Sequence, residues 1–557
     1  MEISKLHIHD IIIIGAGPCG LAVAARLCEN TPSSLFTEAE HRHFHWMKAS
    51  NSSKRQSKPV RTSRRSNTSL DRLLSGPSVS GKLDILALDA TSDKWMGAWN
   101  KRFEILSITH LRSPMFFHPD PRDRDGMLEY AYRNGKEKEL KEIKGVIGKS
   151  LSKHQRKQKA KNGHRSQETT YLDERDRNDF FRPSTRFFSE YCNDVACRYN
   201  IDSIVEKSTV TSVSYSPNEF ADGGIFTLQT STGVKRARNV VFAAGPATPP
   251  TIPPTCTFCH KNPEGVSHAF SPHPSPTSSL PDHVLNKIKI GRNTSVAVIG
   301  GGLTSAQVTC AAINSKISKV YHLMRGPMKV KHFDADLSWV GKYRNFQQAA
   351  FWGAESDEER FEMITEARGG GNFTPEYKKL VLDLVKTGQV DMFENIEVVD
   401  AEWDKNIDMW KLKTEPSVEG LCVDHIVYAT GAQADFMSIP ALQSLREMAP
   451  IKSVNGLPCI TNDLQWNEDI PFFFSGRFAG LRLGPFAANL EGARTGAERI
   501  AGRLAELCEG ERSDSGYDSE TYLGNADDVD MRRLGLGAAN QFGVLASNRV
   551  TFDDESE

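Results

Sequence analysis

Glycines at two points in the chain have the spacing that lets a main chain approach a phosphate group. The first turn, residues 15–20, reads G-x-G-x-x-G and follows a run of four isoleucines at 11–14. The run is typical of a buried strand, and the apolar residues after the turn recur at helical spacing. Glu38 lies 18 positions after Gly20, about where an acidic side chain accepts the hydrogens of a ribose diol. The pattern predicts a dinucleotide site formed by Gly15, Gly17, Gly20 and Glu38.

A second glycine turn follows the apolar run 295–299 and predicts another dinucleotide site, at Gly300, Gly302 and Ser305. Ser305 replaces the third glycine of the motif and is still small enough for a helix and a strand to pack closely. The next predicted strand ends at Arg325, where an acid would be expected. Because a guanidinium can bind a 2′-phosphate that a carboxylate would repel, Arg325 favours NADPH over NADH. The alternative is that Arg325 is a solvated loop residue.

Two further apolar segments, residues 239–245 and 425–431, end on small residues and are predicted to be strands that return the chain to a nucleotide domain. With the two glycine turns they predict an α/β fold of two Rossmann-like dinucleotide-binding domains, the second inserted into the first. The predicted boundaries are 1–250 and 426–508 for the two parts of the first domain, 251–290 for a proline-rich connection, 291–425 for the second domain, and 509–557 for a disordered acidic tail.

Two basic stretches interrupt the first predicted domain, at residues 48–68 and 149–165. Both have few large apolar residues, so they are predicted to be flexible surface insertions. The second stretch could instead be a nuclear-localisation or anion-binding patch.

Composition limits the partners of the chain. Among its 557 residues, 69 lysines and arginines nearly balance 70 aspartates and glutamates, so no overall charge attracts nucleic acid or an anionic membrane. The apolar run 11–27 is interrupted by glycines and is preceded by Glu2 and Asp10 without the basic n-region of a signal peptide, so no membrane segment is predicted. Ten cysteines, mostly isolated, favour a reducing compartment, and we expect a cytoplasmic protein.

These motifs resemble flavoproteins with one FAD domain and one NADPH domain, and among them the lysine and ornithine N-hydroxylating (class B) flavin monooxygenases. The two glycine turns and the turn that ends at Gly431 carry the wider resemblance, over most of residues 8–505. Three segments carry the narrower one: residues 110–117, which include Arg112; residues 182–191; and residues 484–489, which include Gly484 and Asn489.

The resemblance implies FAD at the first glycine turn and NADPH at the second, with oxygen and a small molecule as substrates. In such enzymes NADPH reduces the flavin, which then reacts with oxygen at C4a to hydroxylate the small molecule. The resemblance also implies that Trp95, Trp99 and Arg112 border the flavin ring. For the two tryptophans, ordinary packing at i, i+4 spacing is the alternative. No catalytic side chain is assigned, because the cofactor itself carries this chemistry.

The chain also departs from the patterns of this group. It has no counterpart of the Asn-Glu-x-Phe segment that shapes the amino-acid site of ornithine hydroxylases, and residues 331–339 read KHFDADLSW. The sequence therefore does not identify the substrate, and it does not indicate the oligomeric state. The Baeyer-Villiger fingerprint is absent as well, which argues against insertion of oxygen beside a ketone.

Cys256 and Cys259 form a C-x-x-C-H motif that has three interpretations: haem attachment, a disulfide-reducing pair, or incidental cysteines in a loop. The prolines around the motif favour the loop. No second cysteine or histidine pair accompanies it, so no metal site is predicted. The alternatives to a monooxygenase are thus an NADPH-dependent disulfide or quinone reductase, and a flavin-bound redox sensor.

Overall fold

The computed structural model of the chain describes residues 6–29, 83–122, 124–147, 177, 179–220, 223–245, 247–248, 250, 252, 265–270, 280–341, 344–404 and 406–513. Glu38, Cys256 and Cys259 lie outside the described residues. The same holds for the predicted insertions at 48–68 and 149–165 and for residues 514–557 of the predicted tail.

Helices and strands are interspersed along the described chain, with runs of consecutive strands at β5–β9 and β12–β16. The strands are β1 (Ile8–Ile14), β2 (Ile85–Asp89), β3 (Leu140–Glu142), β4 (Phe181–Pro183), β5 (Val205–Lys207), β6 (Val210–Phe220), β7 (Gly223–Thr230), β8 (Gly233–Phe242), β9 (Val266–His268), β10 (Ser295–Ile299), β11 (Lys319–Met324), β12 (Val390–Glu394), β13 (Glu397–Asp404), β14 (Met409–Glu415), β15 (Cys422–Val423), β16 (His425–Tyr428), β17 (Ser453–Val454), β18 (Leu457–Pro458), β19 (Gln465–Asn467) and β20 (Ile470–Phe474). The α-helices are α1 (Pro18–Cys28), α2 (Gly97–Ile105), α3 (Gly126–Arg133), α4 (Thr185–Arg198), α5 (Asp282–Lys289), α6 (Leu303–Asn314), α7 (Arg344–Trp352), α8 (Asp357–Arg368), α9 (Pro375–Lys386), α10 (Gln443–Met448), α11 (Gly480–Leu483) and α12 (Leu490–Ser513). Short 3₁₀ helices span Glu137–Glu139, Leu337–Trp339, Phe436–Ser438, Pro440–Leu442 and Gly476–Ala479.

Strand β1 lies inside the first sheet, whose order is β19-β20-β8-β1-β2-β5. It runs parallel to both neighbours, β8 and β2, while β7 and β6 extend the sheet in antiparallel fashion from β8. All four isoleucines at 11–14 are buried, which explains the unbroken apolar run. Since the strands are parallel, the carboxyl ends of β1, β2 and β8 meet at one edge of the sheet, next to the first glycine turn.

The second sheet has the order β12-β11-β10-β16-β9, and every one of these pairings is parallel. A separate antiparallel sheet of β13, β14 and β15 packs against it through Trp410 and other buried side chains. All strands of the second sheet come between β8 and β19 in the chain. The prediction of an α/β fold with two dinucleotide-type parallel sheets is confirmed.

The sheets divide the chain differently from the predicted boundaries at two places. Strand β16 pairs with β10 and therefore belongs to the second sheet, although residues 426–508 were assigned to the first domain. Strand β9, from the predicted proline-rich connection, pairs with β16. An apolar strand that ends on small residues is common to both sheets, so the pattern alone cannot tell which sheet receives it.

Helix α12 packs along α1 and covers the first sheet beside the glycine turn. Within this interface Arg26 of α1 forms a buried ion pair with Glu498 of α12. Nowhere in the described part of the chain, α12 included, is a helix long and apolar enough to span a bilayer.

Candidate functional site

The first glycine turn joins β1 to α1, and its three glycines have different surroundings. Gly15 has a φ of +111°, and a Cβ there would lie 2.5 Å from the carbonyl oxygen of Ala243 at the end of β8. A Cβ on Gly20 would overlap the carbonyl oxygen of Gly15. A Cβ on Gly17 would meet nothing within 4 Å. Gly15 and Gly20 are thus required by the packing of the chain itself, whereas Gly17 borders open space.

The N-terminus of α1 faces this open space. Gly17 is its N-cap residue and supplies no capping side chain, and no acidic residue occupies the first helical turn. The main-chain N–H groups and the positive end of the helix dipole are therefore directed at the space beside Gly17. These features fit a pyrophosphate group, whose oxygens would accept hydrogen bonds where a larger side chain would otherwise stand.

Asp89 is the acidic residue at the end of β2, the strand next to β1. Its Oδ2 accepts a hydrogen bond of 3.1 Å from the N–H of Ala16, inside the first glycine turn. Its Oδ1 accepts from the main chain and hydroxyl of Thr91 and from the main chain of Ser92. The carboxylate is held beside the turn where a ribose diol would lie in a dinucleotide fold. Sequence reasoning missed Asp89 because residues 30–82 separate it from the turn; the run of apolar residues before it was the available signal.

The second glycine turn joins β10 to α6 in the same way. Gly300 has a φ of +155°, and a Cβ there would lie 2.5 Å from the carbonyl oxygen of Ala429, which follows β16. Gly302 is the N-cap residue of α6, again without a capping side chain or an acidic residue in the first turn. Ser305, at the position of the third glycine, is buried and donates its hydroxyl to the carbonyl oxygen of Gly302. Serine in place of the third glycine of the motif therefore adds a hydrogen bond within the turn.

His322 of β11 is within hydrogen-bonding distance of the second glycine turn and of helix α6. Its Nε2 lies 3.0 Å from the carbonyl oxygen of Gly300 and 3.1 Å from Ser305 Oγ, and its Nδ1 lies 3.0 Å from Thr309 Oγ1. Burial lowers the pKa of His322 to about 4, so the ring is neutral near pH 7. Because a carbonyl oxygen only accepts, Nε2 carries the proton and Nδ1 accepts from the Thr309 hydroxyl. No sequence pattern marked this histidine.

A loop of three glycines, residues 369–371, lies against the second turn. A Cβ on Gly371 would be 3.1 Å from the N and Cα atoms of Gly302. Lys329 donates from Nζ to the carbonyl oxygen of Gly369 at 2.9 Å. Arg325, the residue predicted to read a 2′-phosphate, directly follows β11 and is exposed. Its guanidinium is therefore accessible to a ligand, and its role stays a prediction.

The three segments that carry the narrower resemblance lie together in the structure. His110 and Ser184 form a β-bridge, and the N–H of Leu111 donates to the carbonyl oxygen of Pro183 at 3.0 Å. The rings of Phe117 and Phe486 are 5.9 Å apart, which brings in the third segment. Sequence segments more than 300 residues apart thus form one region of the fold.

Arg112 connects this region to residues 331–334, which follow strand β11 of the second sheet. Its guanidinium donates to the carbonyl oxygens of Lys331, His332 and Phe333 and to the side chains of Asp334 and Asn372. These acceptors engage most of the N–H groups that an arginine offers. Arg112 therefore joins two segments that are distant in the sequence by hydrogen bonds. Its position beside a flavin ring stays a prediction.

The two tryptophans predicted near the flavin have separate environments. Trp95 is buried and donates from Nε1 to the carbonyl oxygen of Ile201 at 2.7 Å, so ordinary core packing accounts for it. Trp99 is half-buried and stacks on Phe103, with ring centroids 3.6 Å apart. The N–H of Met96, between them, donates to the carbonyl oxygen of Ala16 at 2.7 Å. The segment that carries Trp95 and Trp99 is thereby tied to the first glycine turn.

The remaining predicted site residues are at turns. Gly431 follows β16 with a φ of +83°, and Gly484 ends α11 with a φ of +79°. Asn489 precedes α12 and accepts the N–H of Glu491 at 2.9 Å on its side-chain oxygen. Each has a local structural task, and their contact with a cofactor stays a prediction.

Four of the described cysteines lack the environment of a reactive thiol. Burial raises the pKa of Cys19, Cys310 and Cys459 to about 11, and it raises the pKa of Cys192 further. A nucleophilic or redox-active thiol needs the opposite shift. Cys19, although it lies in the first glycine turn, is therefore a protonated thiol near neutral pH.

A surface groove of about 680 Å³ lies between α2 and α4. Glu104, Glu139 and Glu190 line it together with His110 and Arg186, and Glu190 is paired with Lys136 and Arg186. The groove is open to solvent.

Comparison with known proteins identifies the fold through solved structures. No protein-family model matches the chain, and no curated protein matches its sequence. The ornithine N-hydroxylase of Kutzneria sp. 744, solved with reduced FAD, NADP⁺ and L-ornithine, is 15% identical, with a TM-score of 0.55 over 92% of this chain and 100% of the other.

Two further structures agree with this result. The ornithine hydroxylase of Pseudomonas aeruginosa is 15% identical, with a TM-score of 0.55 over 90% of this chain and 100% of the other. The L-lysine 6-monooxygenase of Pseudomonas syringae is 16% identical, with a TM-score of 0.53 over 90% and 99%. At these identities the likeness establishes a shared fold, and at that level the resemblance found in the sequence is confirmed.

Proposed function

We propose that this protein is an FAD- and NADPH-dependent monooxygenase that hydroxylates a small molecule. The observation that carries the proposal is the pair of glycine turns, each at the carboxyl edge of its own parallel sheet and each leading into a helix without a capping side chain. The fold shared with an ornithine N-hydroxylase solved with FAD and NADP⁺, an ornithine hydroxylase and an L-lysine 6-monooxygenase supports the same conclusion.

In this proposal the first glycine turn holds FAD. The N–H groups at the start of α1 bind the pyrophosphate in the space beside Gly17, and the helix dipole favours its negative charge. Asp89 accepts from the ribose, with Glu38 as the acid that the sequence motif predicts for the same task. Bound FAD supplies hydride acceptance and oxygen chemistry, for which side chains have no equivalent.

The second glycine turn holds NADPH in the same proposal. The N–H groups at the start of α6 bind its pyrophosphate, and Arg325 binds the 2′-phosphate. His322 keeps the turn in shape by donating to the carbonyl oxygen of Gly300. Gly371 has no Cβ, which leaves room beside Gly302, where the pyrophosphate would lie.

A disulfide or quinone reductase is the second candidate. It would place its redox thiols at Cys256 and Cys259. Among the described cysteines, the raised pKa of Cys19, Cys192, Cys310 and Cys459 offers no substitute thiolate. A flavin-bound redox sensor is the non-enzymatic alternative, and it would bind FAD without steady turnover of NADPH.

Oxygen consumption distinguishes these functions. We expect purified, FAD-loaded protein to oxidise NADPH with one O₂ molecule consumed per NADPH. The rate of NADPH oxidation should fall strongly under anaerobic conditions. The substrate is then sought by testing a panel of small amines and other nucleophiles. A substrate should give a hydroxylated product and lower the amount of hydrogen peroxide released. Equal NADPH oxidation with and without oxygen, in the presence of a quinone or disulfide, would overturn the proposal in favour of a reductase.

A further inference from the structure

Two histidines and an aspartate meet at the end of the first sheet that is opposite the glycine turn. His7 directly precedes β1, His9 lies within it, and Asp84 directly precedes β2. His7 Nε2 lies 2.5 Å from Asp84 Oδ2, and His9 Nδ1 lies 3.0 Å from the same oxygen. We refer to these residues as the His–Asp cluster.

Strand geometry explains why the three side chains converge. Residues two positions apart on a strand point to the same face, so the imidazoles of His7 and His9 are neighbours, with ring centroids 4.7 Å apart. Pairing of β1 with β2 then brings Asp84 to the same face. Within the cluster, one nitrogen from each histidine and a carboxylate oxygen of Asp84 all lie within 4.8 Å of one another.

Both imidazoles approach the same carboxylate oxygen of Asp84. His9 Nδ1 is buried and lies 3.0 Å from Asp84 Oδ2, and apart from this contact it has no hydrogen-bond partner among the described residues. A cation at this point would bind both imidazole nitrogens and the carboxylate at once. The side chains of His7 and Asp84, by contrast, are 71% and 43% exposed, so an ion can enter the cluster from solvent.

We propose that the His–Asp cluster is a binding site for a divalent transition-metal ion of the Zn²⁺ type. Two imidazole nitrogens and one carboxylate oxygen are the ligands that Zn²⁺ prefers in proteins, at about 2.0–2.2 Å from the metal. Ligand atoms at tetrahedral positions around such an ion are roughly 3.3 Å apart, so the present nitrogen-to-oxygen distances of 2.5 and 3.0 Å would widen slightly to admit it. A water molecule completes the coordination on the exposed side.

A metal ion in the His–Asp cluster would link β1 to the start of β2, where the chain returns to the first sheet after a long segment. Residues 30–82 lie between α1 and β2, and Asp84 is the second described residue after them. A metal ion shared by β1 and Asp84 holds the start of β2 in register with β1. Glu206 of the neighbouring β5 is close enough to interact electrostatically with His9, which adds negative potential for a cation.

The His–Asp cluster is far from the edge of the first sheet at which the glycine turn would bind a cofactor. His9 precedes Ile14, the last residue of β1, by five residues, which corresponds to about 17 Å along a strand. Zinc binding should therefore leave FAD content and NADPH oxidation unchanged. The sequence predicted no metal site because the cluster exists only after two strands pair across the intervening segment.

Zinc titration of the full-length, FAD-loaded protein tests the proposal. After treatment with EDTA and removal of the chelator, calorimetry with ZnCl₂ should detect one site with a Kd in the micromolar range or below. His7→Gln and Asp84→Asn should each weaken this binding by at least about tenfold. His7 is exposed, so His7→Gln should fold normally. Zinc should also raise the Tm of the wild-type protein by at least about 2 °C, and of neither variant.

Two control variants separate this cluster from other zinc ligands. Cys256→Ser/Cys259→Ser removes the C-x-x-C-H motif and should leave the zinc site intact, as should His110→Gln. If zinc binding disappears in the cysteine variant but persists in His7→Gln, the metal site lies elsewhere and the proposal is overturned. Absence of binding in the wild-type protein also overturns it, and the cluster is then a hydrogen-bonded His–Asp group.

Discussion

Replacing Gly17 by valine is expected to release FAD while the polypeptide stays folded. Gly17 has a φ of −84°, which any residue adopts, and a Cβ there has no neighbour within 4 Å. The apoprotein should lose at most about 1 kcal/mol, the usual cost of giving up a favourable helix N-cap residue. The added methyl groups would instead occupy the space into which the N–H groups of α1 are directed.

The expected loss of FAD affinity follows from the hydrogen bonds that the pyrophosphate would forfeit. A phosphate pushed away from the start of α1 loses charge-assisted hydrogen bonds from main-chain N–H groups, each worth about 1.5–3 kcal/mol. Loss of two such bonds amounts to about 3–6 kcal/mol. This corresponds to a Kd increase of roughly two to four orders of magnitude.

Gly15→Ala and Gly20→Ala are matched controls, because each adds one Cβ that meets the backbone of the chain itself. They should destabilise even the apoprotein, by about 1–3 kcal/mol. The flavin-to-protein absorbance ratio after desalting reports FAD, and urea unfolding of apoprotein reports stability. The reasoning is refuted if Gly17→Val retains stoichiometric FAD, or if its apoprotein is destabilised as much as that of Gly20→Ala.

Three further outcomes can be measured. Arg325→Ala should raise the KM for NADPH roughly ten- to a hundredfold and leave the KM for NADH nearly unchanged, because it removes one charge-assisted phosphate contact of about 1.5–3 kcal/mol; equal changes for both nucleotides would contradict this role. Cys256→Ser/Cys259→Ser should oxidise NADPH in air at close to the wild-type rate, and loss of turnover with FAD retained would instead favour the reductase. The pKa of His322 is lowered by burial to about 4, below that of an unfolded histidine, so its contribution to stability is present above about pH 6.5 and is lost as the pH falls toward 4. In that window His322→Gln should reduce the pH dependence of the free energy of unfolding by about 1.4 kcal/mol per pH unit, measured by urea unfolding at pH 7, 6 and 5; an unchanged slope would show that the histidine is not buried in its neutral form.

The sequence was sufficient to predict both glycine turns. A strand, a tight turn and a helix form one contiguous unit, so their periodicity and the spacing of Gly15, Gly17 and Gly20 are visible in a short window. The same holds for Gly300 and Gly302. Both units are found where they were predicted, as β1–α1 and β10–α6.

Features that depend on distant pairing could not be predicted in this way. The motif places the acid about 20 residues after the turn and therefore does not predict Asp89, whereas the register of Ile11 with Ile85 places β2, and Asp89 at its end, beside β1. Gly371 approaches Gly302 from a loop far along the chain, and no local pattern signals that contact. Strand β16 was assigned to the other domain because pairing, rather than composition, decides which sheet a short apolar strand joins.

The packing of α12 on α1 has a consequence for how the protein is made. Arg26 and its buried partner Glu498 are separated by 472 residues, so the first helix to leave the ribosome lacks its covering helix until almost the entire chain has been translated. At about 5–20 residues per second, this interval is roughly half a minute to a minute and a half. During that time the apolar face of α1 is exposed to solvent or to chaperones. The first sheet therefore cannot complete its packing until α12 has been made, whereas every strand of the second sheet has been translated before then.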